Sequence, residues 1–389
     1  MNEWKEVKLG EFAEINPRES IAKGTIAKKV PMEAVESFTK KIASYSSEEY
    51  KGGVKFKNGD TLIARITPSL ENGKTAFVDI LDDEEVGFGS TEFIVLREIK
   101  DLSDKHYLYY LAISPELREI AIQSMTGTSG RQRVQTNVVV DYEFPFPPLP
   151  EQKAIAEILS SIDDKIDLLH RQNETLEQMA QTLFRQWFVE EVDEDWEEGF
   201  ISDLAKHHKK SIRPQQNLDT IYHHYSIPSF DNNKTPVVEM GAEIKSNKYE
   251  IPENCIMFSK LNPHKDKRLW LIQSHKKSNS IASTEFQIVL PKKEKFLFFI
   301  YGWLNENMNY REIASGVGGT SSSHQRISPS IIFDFPCPII TDLIIEKYNE
   351  KVQPAFEKIN NNQQQLKTLE KLRDTLLPKL MNGEVKVNL

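Results

Sequence analysis

Two segments of the chain combine glycine, serine and threonine with a closing Gln-Arg pair. The first reads TGTSGRQR over residues 126–133, and the second reads GVGGTSSSHQR over residues 316–326. Glycines let a backbone approach a ligand closely, hydroxyl and N–H groups bind phosphate oxygens, and Arg and Gln can bond base edges. The segments therefore predict a nucleic-acid contact, or alternatively surface loops whose matched Gln-Arg serves only the fold. The candidate residues are Thr128, Ser129, Arg131, Gln132, Arg133, Ser322, Ser323, His324, Gln325 and Arg326.

Further basic residues surround the turns at Thr67-Pro68 and Asn262-Pro263. Cations at such turns can contact a phosphate backbone, although lysines in charged runs are usually only solvated. The sequence predicts DNA contact for some of them and a solvated surface for the others. These candidates are Arg65, Lys74, Lys260, His264, Lys265, Lys267 and Arg268.

No catalytic or metal-binding motif accompanies these residues. The sequence has no Gly-rich phosphate loop, His-Glu-x-x-His or nucleophile elbow, and no Asn/Asp-Pro-Pro-aromatic run of the kind that amino-methyltransferases use. Cys255 and Cys337 have no Cys-x-x-Cys spacing, so neither zinc nor a disulfide framework is indicated. The sequence predicts a non-catalytic chain in a reducing cytoplasm, without a secretion signal or membrane span.

The charge balance restricts how the chain can bind a nucleic acid. Its 389 residues carry a formal net charge of −9, whereas free-standing nucleic-acid binders usually have a basic excess. We therefore expect any DNA contact to be local or shared with a basic partner. With 39% hydrophobic and 28% charged residues, the chain has the composition of a globular protein with two domains or more.

A repeat with an offset of 192 to 193 residues positions all of these candidates. Ser90-Thr91-Glu92-Phe93 returns as Ser283-Thr284-Glu285-Phe286, and Gln132-Arg133 returns as Gln325-Arg326. Long stretches between the matched blocks differ, notably residues 16–58 against 209–253. This pattern predicts two copies of one fold that carry divergent inserts.

Short alternating apolar runs and a few short helical patterns make each copy an α+β module. The predicted modules cover residues 1–148 and 191–340. Each is followed by a long helical segment, 149–190 or 341–389, the latter including a short tail. The order is module, helix, module, helix.

The two long helices share a heptad-like apolar seam. It runs from Ile162 to Trp187 in the first and from Ala355 to Leu380 in the second, at steps of three and four residues. Such a seam is typical of a coiled coil, in which polar residues like Asn173, Asn362 and Arg373 fix the register. We predict an antiparallel pair that relates the repeats by a pseudo-twofold axis, rather than two helices that each only close a core.

The entry to the first helix carries a recognisable motif, Phe-Pro-Pro-Leu-Pro-Glu-Gln at 146–152, continued by AIAEILSSID. Together with the alternating modules and the Gly-Ser-Thr loops, it resembles the specificity subunits of type I restriction–modification systems. The second copy departs from the motif, because residues 335–340 read FPCPII without Glu-Gln.

This resemblance implies two target-recognition domains, each reading one half of an asymmetric bipartite site in double-stranded DNA, with the helices setting the gap. It also implies partners: two adenine N6-methyltransferase subunits that bind S-adenosylmethionine, and restriction subunits that use ATP and Mg. No cofactor would be bound by this chain itself.

Two other functions stay open at this point. One is a scaffold that binds proteins or glycans and uses the coiled coil as a strut. The other is a nuclease that uses Asp60 or Glu92 with nearby basic residues.

Overall fold

The computed structural model describes residues 4–191, 196–231, 234–273, 277–316 and 325–387. The chain divides into two compact units. The first contains Met1–His170 with Gln363–Leu389, and the second contains Arg171–Asn362. Each unit holds one module and parts of both long helices, and each is described by itself below.

The described residues of the first unit form ten strands. They are β1 (Lys5–Lys8), β2 (Ala13–Ile15), β3 (Ile26–Val30), β4 (Ser46–Glu49), β5 (Val54–Phe56), β6 (Thr61–Ala64), β7 (Thr75–Phe77), β8 (Gly87–Gly89), β9 (Phe93–Glu98) and β10 (Glu143–Phe146). Its helices are α1 (Leu9–Phe12), α2 (Lys105–Ile113), α3 (Pro115–Gln123), α4 (Thr136–Val140) and the long α5 (Leu149–Arg185), which continues into the second unit.

The second unit has eleven strands within the described ranges. They are β11 (Glu197–Phe200), β12 (Ala205–His208), β13 (Ser211–Ile212), β14 (Ile221–Tyr225), β15 (Val237–Met240), β16 (Lys248–Glu250), β17 (Cys255–Ser259), β18 (Leu269–Ile272), β19 (Ser280–Ala282), β20 (Phe286–Pro291) and β21 (Pro336–Ile339). The helices are α6 (Ile201–Leu204), α7 (Ile227–Asp231), α8 (Leu297–Asn305), α9 (Asn307–Ser315), α10 (Pro329–Phe333) and the long α11 (Asp342–Met381).

The sheets of the two units have the same order. A two-stranded sheet, β1-β10 or β11-β21, accompanies a four-stranded sheet, β2-β9-β6-β7 or β12-β20-β17-β18. A third sheet runs β4-β3-β8-β5 in the first unit and β15-β14-β19-β16 with the added β13 in the second. Its β3·β8 and β14·β19 pairs are parallel and the other strand pairs are antiparallel. The repeat thus extends through the inserts that differ in sequence.

The central four-stranded sheet is buried on both faces, because side chains alternate along its strands. In β9, Ile94 and Leu96 pack into the core formed with the helices, whereas Val95 packs into the core shared with the third sheet. In β20, Val289 and Ile288 divide in the same way. Each module is therefore a layered α+β structure, as the sequence predicted.

Helix α5 begins where the Pro-Leu-Pro-Glu-Gln motif predicted, and a π-helical turn at Gln186–Glu190 follows it. Gln152 is completely buried. Its Oε1 accepts the backbone N–H of Asp104 at 2.9 Å, and its Nε2 donates to the carbonyls of Leu102 and Pro147 at 3.1 and 2.9 Å. The motif thus ties the first turn of α5 to the loop that caps α2.

The long helices pair in each unit. In the second unit the Asn362 Nδ2 donates to the Asn173 Oδ1 at 2.8 Å, while Phe184 lies 6.1 Å from Tyr348 between ring centroids. The two contacts run in opposite directions along the two helices, so the pairing is antiparallel there. In the first unit Arg373 pairs with Asp163 at 3.3 Å. Asn173, Asn362 and Arg373 occupy the seam positions that the sequence predicted, whereas Asp163 was not among those positions.

Candidate nucleic-acid interface

The Gly-Ser-Thr segment of the first unit is a narrow loop. Thr126 and Arg133 form a bridge at its base, and the Arg131 N–H donates to the Thr128 carbonyl at 2.9 Å near its tip. Gly127 and Gly130 have φ of +131° and +77°, which favour glycine because other side chains would be strained there. The loop therefore exposes Thr128, Ser129 and Arg131 together.

Arg131 is exposed, and among the described residues its guanidinium makes no hydrogen bond or ion pair. The five donors of a guanidinium in a planar fork can form paired hydrogen bonds with a base edge or a phosphate. Of the predicted arginines of this loop, Arg131 is the one whose donors are not used inside the protein.

Arg133 has a partner in the protein. Its Nε and Nη2 bond both carboxylate oxygens of Glu92 at 2.6 to 3.0 Å, and this guanidinium lowers the pKa of Glu92. In the second unit Arg326 bonds both oxygens of Glu285 at 2.9 and 3.0 Å. We call each of these pairs, Glu92–Arg133 and Glu285–Arg326, a loop clasp.

A second tie also recurs in both units. The Gln132 N–H donates to the Thr67 Oγ1 at 2.8 Å, and the Gln325 N–H donates to the Asn262 Oδ1 at 3.0 Å. The carbonyls of Gln132 and Gln325 accept the backbone N–H of Thr67 and Asn262 at 3.0 and 2.8 Å. Each Gln-Arg pair is thus tied to the fold through the backbone of the glutamine and the guanidinium of the arginine, which is consistent with the structural alternative that the sequence left open.

Lys74 and Arg268 occupy equivalent places, one residue before β7 and β18, and both point into the protein. Lys74 donates to the Met32 carbonyl at 2.9 Å, whereas Arg268 pairs with Asp231 and Asp266 at 2.7 and 3.0 Å. Each links its turn to the insert. Neither is displayed as a free cation, contrary to what a run of solvated basic residues suggested.

Lys267 is also held, because its ammonium donates to the Asn305 carbonyl and lies 5.1 Å from the centre of the Tyr310 ring. Burial lowers its pKa.

The other predicted cations differ in exposure. Arg65 is half-buried and donates to the Val134 carbonyl at 3.3 Å, and Lys260 is half-buried beside the second clasp. His264 and Lys265 are exposed on the turn that follows β17. Ser322, Ser323 and His324 lie outside the described residues.

The carboxylates proposed for a nuclease are engaged elsewhere. Asp60 is 1% exposed and bonds Arg97 through both oxygens at 2.7 Å. Burial raises the pKa of Asp60, although the ion pair with Arg97 acts in the opposite direction. Glu92 belongs to the first clasp. Across the described ranges, no group of three or more His, Cys, Asp or Glu side chains is arranged to hold a metal ion. These contacts give the nuclease alternative no support.

Four residues that hold the loops were not among those predicted to contact DNA: Glu92, Glu285, Thr67 and Asn262. A signal for the two glutamates was present, since Ser-Thr-Glu-Phe recurs at the same offset as Gln-Arg. A carboxylate and an arginine that recur together are consistent with a conserved pairing inside each repeat. Thr67 and Asn262 share no residue type, so only the fold reveals their equivalence.

In the part of the chain that is described, no helix is both long and apolar enough to cross a membrane.

Comparisons with known proteins agree with this architecture. Residues 1–178 match the family model of the type I restriction modification DNA specificity domain. The MjaIX specificity subunit of Methanocaldococcus jannaschii is 29% identical over 330 residues, covering 74% of this chain and 71% of that protein. The HindI specificity subunit of Haemophilus influenzae is 25% identical over 419 residues, covering 85% and 87%.

The EcoAI specificity subunit of Escherichia coli is 30% identical over 206 residues, which span 50% of this chain and 35% of that protein. Among solved structures, the S subunit of a type I system from M. genitalium shares the fold with a TM-score of 0.60 at 16% identity, over 97% and 96% of the two chains. Residues 1–178 thus match the type I restriction modification DNA specificity domain, and over most of its length the chain is similar to the specificity subunits of type I restriction enzymes.

Proposed function

We propose that this chain is the DNA-reading subunit of a type I restriction–modification complex. Residues 1–148 and 191–340 would each read one half of a bipartite, asymmetric site in double-stranded DNA. The observation that carries this proposal is the duplicated loop support, since each unit holds a Gly-Ser-Thr segment by the same two ties. The same framework therefore anchors the carboxyl-terminal ends of two segments that differ in sequence.

The chain would act without chemistry of its own. We infer two methyltransferase subunits and restriction subunits as partners in the cytoplasm, with S-adenosylmethionine, ATP and Mg bound by those partners. The net charge of −9 supports this division, because the partners would then supply much of the sequence-independent attraction to phosphates.

Within the first module, Arg131 is the strongest candidate for direct reading, with Thr128 and Ser129 beside it on the exposed tip. In the second module Lys260, His264 and Lys265 are candidates for phosphate contact. Arg133, Arg326, Lys74, Lys267 and Arg268 use their donors inside the protein, so we infer that they shape the loops.

The helical segments 149–190 and 341–389 would set the gap between half-sites. Inserting one heptad in each helix, after Asn173 and after Leu366, keeps the seam in phase and adds about 10.5 Å at 1.5 Å per residue. At about 3.4 Å per base pair, the preferred gap should grow by about three base pairs. Methylation of duplexes with varied gaps would test this, and an unshifted optimum would contradict it.

The function itself is tested by co-expressing the chain with its cognate methyltransferase subunit and sequencing the methylated genome. The result expected is N6-methyladenine in one bipartite motif that depends on this chain. Methylation without sequence preference, or independent of the chain, would contradict the proposed function.

In the same assay Arg131→Ala should weaken selection of the first half-site by about 1–3 kcal/mol and leave the second unchanged. Arg18→Ala is the matched control, because Arg18 is an exposed arginine of the same module outside the loop. Equal effects of the two substitutions would mean that Arg131 contributes only charge.

A further inference from the structure

The loop clasps are built into the central sheets of both units. The carbonyls of Glu92 and Glu285 accept the backbone N–H of Arg65 and Lys260, each at 2.9 Å, immediately before β9 and β20. Each glutamate is thus held by the sheet directly before the first residue of a buried strand. Arg133 lies on the returning leg of the first Gly-Ser-Thr loop, and Arg326 is the last residue of the second segment in the sequence.

Each arginine is attached at the equivalent point of its unit. Arg133 forms a bridge with Ile66, and Arg326 forms one with Leu261. In the first unit the bridge between Thr126 and Arg133 also closes the loop, so the clasped residue is the base of the loop that exposes Arg131. A rotation of Arg133 would therefore be transmitted to the tip.

Stability alone does not explain the clasps. Both arginine side chains are 45% exposed, and exposed ion pairs contribute little to folding because water screens them and ordering the side chains costs entropy. A bidentate pair between guanidinium and carboxylate does fix direction, since two parallel hydrogen bonds define a plane. The geometry is that of an orienting contact.

We propose that each clasp is a positioning device for its own half-site. Resting on the proposed function, this assigns Glu92 and Arg133 to orienting the first recognition loop, and Glu285 and Arg326 to fixing the end of the second segment at Gln325 and Arg326. Arg133 and Arg326 act through the loops and do not themselves contact bases. Selectivity at each half-site thus depends on a carboxylate that does not contact DNA.

The test uses the full chain in complex with its methyltransferase subunit, S-adenosylmethionine, and two duplex libraries, each randomised in one half-site. Glu92→Gln keeps the shape of the side chain and removes its charge. It should lower discrimination in the first half-site roughly tenfold, as expected for one misplaced base contact, and leave the second unchanged. Glu285→Gln is the matched variant and should show the opposite pattern.

A charge swap separates positioning from contact. Glu92→Arg combined with Arg133→Glu rebuilds the pair with reversed charges, so it should restore first half-site discrimination relative to either single change. If Arg133 contacts a base directly, the swap puts a carboxylate there and discrimination stays lost, which would overturn the inference. Arg133→Lys keeps the charge without the bidentate geometry and should give an intermediate loss.

The unchanged half-site reports folding and assembly in each variant. If Glu92→Gln lost discrimination at both half-sites, or kept full discrimination at the first, the inference would be overturned. The motif selected by the wild-type complex would still support the proposed function in either case. A wild-type complex that selects neither half-site would instead overturn the proposed function.

Discussion

In the first unit a buried ion pair joins Asp60 to Arg97, and in the second unit the strand registers put Cys255 and Leu290 at the same two places. Asp60 is 1% exposed and Cys255 is completely buried. One repeat thus fills these positions with charges that bond one another, and the other fills them with a thiol and an aliphatic side chain.

The first turns of the two long helices differ in the same way, since their third and fourth residues are polar in α5 and apolar in α11. Gln152 is the fourth residue of α5 and makes three hydrogen bonds, whereas Ile345, the fourth residue of α11, packs in an apolar core. One residue earlier, Glu151 accepts the Trp4 Nε1 at 3.1 Å. The second repeat has Ile344 there, and the Nε1 of Trp196 is buried without a partner among the described residues.

The two units thus share one strand order although equivalent positions in their cores hold side chains of different polarity. Replacing a complete buried polar network with apolar side chains is often neutral or stabilising, whereas removing one member leaves an uncompensated group. Each repeat is therefore consistent within itself. Exchanging single residues between equivalent positions should be costly, and exchanging whole sets should not.

The largest effect is expected for Arg97→Leu, which copies Leu290 into the first unit. It leaves Asp60 buried without its partner and should destabilise that unit by about 3–5 kcal/mol. Adding Asp60→Cys removes the buried carboxylate and should recover most of the loss, because Glu19, which also bonds Arg97, keeps Lys57 as a partner at 3.3 Å. Urea unfolding with pulsed hydrogen exchange, reading peptides of each unit, measures both. A double variant as unstable as the single one would contradict the comparison.

A smaller loss is expected for Gln152→Ile, which copies Ile345. The substitution leaves the Asp104 N–H and the carbonyls of Leu102 and Pro147 without their partner, at a cost of about 2–3 kcal/mol to the first unit. The same exchange measurement should show early opening of the first turn of α5. Wild-type protection of that turn would show that apolar burial alone suffices.

Ile344→Glu should repair the unpartnered indole of Trp196 by supplying the carboxylate that Glu151 provides in the first unit. Compared with Ile344→Ala, which removes the same packing without an acceptor, the glutamate variant should be more stable by about 1 kcal/mol. A carboxylate in the first turn of α11 also suits the helix dipole. Equal stability of the two variants would mean that no bond to Trp196 forms.

The last expected effect is a change in how the stability of the second unit depends on pH. His207, the third residue of β12, stacks on Phe333, and burial lowers its pKa to about 4; Ile15 holds the equivalent place in β2. The unfolded chain binds this proton at a higher pH than the folded chain does. The contribution of neutral His207 to the stability of the folded state is therefore full above about pH 6.5 and is lost as the pH falls toward 4. His207→Ile should flatten that part of the second unit's pH–stability profile. An unchanged profile would assign the dependence to other groups.

The duplicated order, the two long helices and their seam could be predicted because each depends on residues repeated at a fixed spacing, as with Leu176 and Leu369. The shared strand order of the inserts could not, because β4 and β15 have no common pattern: one reads SSEE and the other VVEM. Their equivalence lies in backbone pairing with β3 and β14, which sequence spacing does not encode.

The candidate site was predictable in composition but not in role. The sequence named Arg131, Arg133, Lys74 and Arg268 alike as candidates for contact with DNA. Whether a cation faces solvent or bonds a carbonyl or carboxylate depends on which chain segments meet it, and Met32 and Asp231 are distant in sequence from their partners. The clasps were visible only as two motifs repeated at one offset.

The division of the chain also has a consequence for biosynthesis. The second unit is continuous in sequence, whereas the core of the first unit joins Ile155 and Leu159 to Leu377 and Leu380. A ribosome adding about 5–20 residues per second needs roughly 10–40 s to pass from residue 170 to residue 363. During that interval the first-synthesised module carries an uncovered apolar helix face, so the module made second should be the first to complete its fold, and the earlier one should depend more on chaperones.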